Sequence, residues 1–192
     1  DGMIGVTEGV GTAQQGPLAL ISSRDGLRQT VADLMQLARA IRRGVDVDGS
    51  GGPDLDGERI FYVGQSFGGI YGTLLMAVDP LPRAGVLNVP GAPIAEIARQ
   101  AAVFRPLVRE QLRVRKPALV NGDRDFTESV PLWGEAPVTA PASGGLAIQA
   151  YLDRAEWLQQ GADPSAFAPY LKSLPLTAAG PRPVLVQMAV GD

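Results

Sequence analysis

Arg59-Ile60-Phe61-Tyr62-Val63-Gly64-Gln65-Ser66-Phe67-Gly68-Gly69-Ile70 is the stretch whose reading decides the fold. Four apolar or aromatic residues, Ile60 to Val63, run straight into G-Q-S-F-G-G, and a helical pattern follows through Ile70, Leu74, Leu75 and Val78. Strand, sharp turn and helix in immediate succession form the context of a nucleophile elbow, in which a serine hydroxyl projects from a sheet edge. In that arrangement Gly64 and Gly68 are expected where backbones approach too closely for a Cβ, with Gln65 joining strand to serine. Phe67 follows Ser66, so its backbone N–H would face an oxyanion at the positive end of a helix. G-x-S-x-G alone is a weak pattern in a chain with 24 glycines. The competing reading is a Gly-rich turn that merely links strand to helix.

Upstream, Leu27, Val31, Leu34, Ala38 and Ile41 recur every three or four residues and predict an amphipathic helix over Ser23 to Arg43. Ser22 or Ser23 would cap it, Asp25 suits its first turn, and Gly44 its end. Arg24 and Asp25 would either order loops near the elbow or form an ion pair at the helix cap. Asp46 to Gly57 reads as a loop that partly matches calcium-loop spacing, with Asp46, Asp48, Ser50 and Asp54 as ligands. The closing bidentate Glu is missing, because Gly57 stands in its place, and a strand follows where the calcium motif has a helix. A solvated acidic turn is the plainer reading of the same residues.

Downstream, Pro80 and Pro82 punctuate a turn before Ala84 to Val89, a second parallel strand, giving a βαβ unit. Ile94 to Val114 reads as helix interrupted at Pro106, with Arg99, Arg105, Arg109, Arg113 and Arg115 on the face away from the apolar side. That region is either a lid or a core-packing helix with a solvated basic face. Lys116 to Gly145 is Pro- and Gly-rich and reads as loop; Leu146 to Gln160 reads as helix. Asp163-Pro164-Ser165 starts a short helical turn. Pro183 to Val190 is nearly all apolar and predicts a strand buried on both faces.

The sequence resembles the α/β-hydrolase family of serine esterases and lipases, and within it a group of bacterial lipase-like hydrolases. The likeness rests on Ser23-Arg24-Asp25-Gly26-Leu27-Arg28-Gln29, the Asp/Gly-rich loop, G-Q-S-F-G-G and the final V-L-V-Q-M-A-V-G-D. It implies a partial α/β-hydrolase fold, a mostly parallel sheet with flanking helices, in one domain over 1–192 with 92–180 as a helical cap. It implies Ser66 as nucleophile, Asp192 as the acid and a histidine as base, in that chain order. Asp125, after Ala118 to Val120, is a competing acid if those residues form a strand. A small-molecule carboxylic ester is the substrate so implied, with no cofactor required and calcium as an option. The departure is severe: the chain contains no histidine. With both ends looking cut, a segment of a larger hydrolase is the expectation.

Composition narrows the rest. Apolar residues make up 45% and charged residues 19%, which describes a chain able to build a core. Seventeen Lys and Arg against twenty Asp and Glu give a net charge of −3 and no basic signature of a nucleic-acid partner. The chain has no cysteine, which excludes disulfides and thiolate metal ligands. No run approaches the ~20 apolar residues of a membrane span.

Overall fold

Phe61–Gln65 (β1), Ala84–Asn88 (β2) and Val184–Gln187 (β3) pair in parallel, in that order across the sheet. The computed structural model describes residues 18–122, 125–139, 142–176 and 180–189. Six α-helices complete an α/β layout among them: α1 (Ala19–Arg43), α2 (Phe67–Val78), α3 (Ile94–Gln100), α4 (Arg105–Val114), α5 (Gly145–Gln159) and α6 (Pro164–Phe167). No helix among the described residues is long and apolar enough to cross a membrane.

The sheet and α2 fit each other through small residues. Tyr62 points from β1 into the face that α2 covers, and a Cβ on Gly72 would lie 2.2 Å from its ring. Gly72 therefore lets the helix settle against the strand. Ile70, Leu74 and Leu75 of α2 join Leu27 and Val31 of α1 and Ala162 in one buried cluster, with Phe67, Tyr71, Ile94 and Ile97 packed against it. At the far end of α2, Asp79 is fully buried and takes Arg39 of α1 at 3.3 Å. Arg182, two residues before β3, donates to the carbonyls of Met76 and Asp79, satisfying acceptors that a helix C-terminus leaves open.

The other sheet face departs from expectation. Phe61 is 63% exposed, Val63 75% and Leu185 55%, so neither β1 nor β3 is buried on both faces. These side chains share one face through the register Val63↔Val86↔Leu185, and no described helix lies over it. An apolar strand run reports burial only where something covers it.

A second core lies within residues 98–152, where Val108, Leu112, Phe126, Ile148 and Leu152 form a cluster of their own. The arginines expected on a solvated face divide here. Arg113 is exposed and pairs with Glu110, but Arg99 is only 3% exposed and Arg105 is largely buried. Arg99 binds Glu96 at 2.7 Å and Glu128 at 3.0 Å. Arg105 reaches Glu128 at 3.0 Å and Asp125 at 2.7 Å, donates to the Phe126 carbonyl and stacks 4.1 Å over the Phe126 ring. The network holds the loop at 125–131 onto α3 and α4 by saturating nearly every charged group, as burial demands.

Other boundaries shift for local reasons. The first helix starts before both serines, at Ala19, without a side-chain cap, and ends at Gly44 with φ 99° as expected. The break between α3 and α4 falls at Ala101 to Phe104, and Pro106 sits in the first turn of α4, where its missing N–H is harmless. Ala118 to Val120 form no strand.

Burial raises the Glu128 carboxyl, but hydrogen bonds from Arg105 and Arg99 outweigh this and leave it below the usual carboxylate range; Arg99 does the same for Glu96. Depressed folded-state values stabilise the fold fully above the unfolded value of about 4.3, and the gain is lost as pH falls through the folded one. Glu128→Ala should therefore cost about 1.5–3 kcal/mol in urea unfolding at neutral pH, because Arg99 and Arg105 each lose one of two carboxylate partners and keep Glu96 and Asp125. Its penalty should shrink as acid protonates Glu128 in the parent chain.

Candidate active site

The ends of β1 and β2 and the start of α2 converge on Ser66, with β3 ending one strand farther along the same sheet edge. The serine joins β1 to α2 with φ 52° and ψ −114°, outside the regions open to L-residues. A residue held there costs on the order of 1–3 kcal/mol and persists only where its surroundings over-determine it. Here they do. The Ser66 N–H donates to the Asn88 carbonyl of β2 at 2.8 Å, and the Ser66 carbonyl accepts from Ile70 at 3.0 Å as α2 begins. Tyr62 donates its hydroxyl to the Gly68 carbonyl at 2.6 Å, and burial pushes its phenol pKa well up, keeping it a donor. The side chain of Ser66 stands at the surface.

The two elbow glycines play unequal parts. A Cβ on Gly64 would lie 2.3 Å from the Gly68 carbonyl oxygen, a backbone atom that has no room to retreat. At Gly68 the nearest atom to a Cβ would be the Tyr71 hydroxyl at 3.6 Å, an ordinary contact. Only the first glycine is required by close approach, which corrects the symmetrical expectation. Phe67 opens α2, where an N–H has no intrahelical acceptor, and its ring meets Tyr71 edge-on at 6.1 Å. Gln65 ends β1 opposite Asn88 and is exposed.

The other expected site residues disperse. Asp192 lies outside the described residues; β3 ends beside β2 at the same sheet edge as the elbow, through Asn88↔Gln187. Asp125 follows no strand and binds Arg105 in the second core. Arg24 and Asp25 pair with each other at 2.8 Å inside α1, and the guanidinium holds the Asp25 carboxyl below its ordinary range.

Asp46, Asp48 and Asp54 form an exposed triad with carboxylate oxygens within 4.8 Å of one another, a set that could hold a metal ion. Their oxygens already accept backbone N–H groups: Asp46 from Gly49 and Gly51, Asp48 from Ser50, and Asp54 from Val47. Ser50 gives its N–H to Asp46 and Asp48, and its side chain also hydrogen-bonds Asp48. A turn and then β1 follow, with no helix.

One residue of this edge was not legible beforehand. Val89, just beyond β2, has φ 46°, a genuine outlier for a β-branched side chain. Nothing in a valine signals a left-handed backbone, and only the Pro90-Gly91 that follows hints at a turn. Comparison with family models, with curated proteins and with solved structures finds no match to this chain.

The glycine asymmetry gives a direct test. Gly64→Ala should destabilise by more than the ~1–3 kcal/mol of ordinary overpacking. Gly68→Ala should be neutral, or stabilising by up to about 1 kcal/mol through helix propensity. Urea unfolding of the two variants checks both.

Proposed function

We propose that this chain presents the nucleophile of a serine hydrolase of the α/β class, acting on carboxylic esters with a fairly apolar acyl group. The observation that carries the reading is Ser66 itself, exposed and at φ 52° between a parallel strand and a buried helix. Its Oγ attacks the ester carbonyl carbon, forming a C–O bond as the carbonyl electrons move onto oxygen. The Phe67 N–H would meet that oxyanion, with the helix dipole adding favourable potential. Collapse breaks the bond to the alcohol, which leaves with a proton, and water then hydrolyses the acyl-serine. The unit built on α3, α4 and α5 would serve as the cap. The same steps serve an amide substrate.

The Ser66 proton needs an acceptor, and none of the 192 residues is a histidine. In the family that the sequence resembles, a histidine takes this proton and an acid in the place of Asp192 orients it. Removing the histidine from such a unit costs on the order of 10⁶ in kcat. The 192-residue chain should therefore hydrolyse short p-nitrophenyl esters barely above the buffer rate. With hydroxide as the only base, the part of the rate lost in Ser66→Ala should rise about tenfold per pH unit, with no inflection near the ~6.5 of a histidine. Brisk turnover at neutral pH that Ser66→Ala abolishes would show another base at work. Equal rates for both proteins at every pH would favour a non-catalytic α/β module.

A further inference from the structure

Two of the described residues other than glycine have positive φ, and they stand at the ends of adjacent strands. Ser66 follows β1 and Val89 follows β2. Hydrogen bonds run across this edge in sequence: the Ser66 N–H to the Asn88 carbonyl, then the Val89 N–H to the Gln187 carbonyl, each at 2.8 Å. The turn at Val89 then carries Pro90 back over the first turn of α2. A Cβ on Gly69 would lie 2.9 Å from Pro90 Cβ and 3.1 Å from the Asn88 oxygen. The chain from Asn88 to Pro90 thus grips the elbow at two points, the serine N–H and the Gly69 backbone, with Val89 between them.

We infer that Val89 is a positioning residue for Ser66: its left-handed backbone turns Pro90 onto Gly69 in the first turn of α2 while the β1–β2 pairing holds the serine N–H, and so sets the aim of the serine hydroxyl and of the Phe67 N–H. The inference rests on the hydrolase reading. Valine itself disfavours φ 46°, so the surroundings hold the bend; glycine and asparagine accept that backbone without strain, whereas proline fixes φ near about −65° and cannot adopt it. Strain of this kind is retained where surroundings over-determine it, and it clusters at sites where geometry matters.

The test is labelling of Ser66 by a fluorophosphonate in the full chain, at alkaline pH so that hydroxide takes the proton as Ser66 Oγ displaces fluoride. Val89→Pro, which forbids the left-handed backbone, should lower the second-order labelling rate by about 10- to 100-fold, the scale of a small misplacement. Val89→Asn, whose side chain tolerates the left-handed region, should label within about threefold of the parent. A proline variant that labels at the parent rate overturns the inference. So does a folded asparagine variant that labels slowly, and that variant decides the matter alone if the proline variant does not fold. Failure of the parent chain to label at Ser66 removes the hydrolase reading instead.

Discussion

A serine backbone bent where L-residues rarely go is the constraint on which the rest of the site depends. It survives because the helix it starts is buried almost all round. Ile70, Leu74, Leu75 and Met76 are each less than a tenth exposed, and burying each contributes about 1.5–3 kcal/mol. The strained residue costs about 1–3 kcal/mol in all, so packing wins by a wide margin. Gly64 and Gly72 are what permit the packing, one by admitting the Gly68 carbonyl and the other by admitting the Tyr62 ring. Hydrogen bonds to Asn88 and from Tyr62 then leave the turn no easy way to relax.

The two cores are held by different physics. Around α1 and α2 the cluster is apolar, with Asp79, Arg39 and Arg182 at its far end and the buried Asp163 carboxylate beside Ala162 taking N–H groups of Ile94 and Ser165. Around α4 and α5 the apolar cluster is smaller, and a five-membered network of Glu96, Arg99, Arg105, Asp125 and Glu128 locks the irregular 125–131 segment onto it. Saturated buried charges fix a unique arrangement but add stability only while every partner is present. The elbow therefore sits on the more uniformly packed part of the molecule, which suits a turn that must not yield.

Much of this was legible in the sequence, and the failures have identifiable causes. Helical periodicity located α1, α2 and α5, because 3.6-residue spacing is a local signal that burial seldom contradicts. G-x-S-x-G with its flanks located the turn at Ser66 and the need for Gly64. Apolar runs located β1, β2 and β3, but the burial on both faces expected of the run at 183–190 fails, since exposure of Leu185, like that of Phe61 and Val63, depends on what covers the sheet. Arg99 and Arg105 were misread because a helical wheel shows which face a residue occupies, not whether a loop 20 or more residues on will bury it. Val89 was missed because its side chain argues against the backbone that it adopts. The acid was not resolved either way: Asp125 is committed to Arg105, and Asp192 lies outside the described residues.

The measurement closest to the central claim compares Ser66→Gly with Ser66→Ala by urea unfolding. Alanine keeps a Cβ at φ 52° and so keeps the strain, whereas glycine releases it. The glycine variant should be the more stable of the two by about 1–2 kcal/mol. If glycine is instead the less stable by about 0.5–1 kcal/mol, its ordinary penalty in regular structure, the backbone at Ser66 is unstrained and the elbow does not exist.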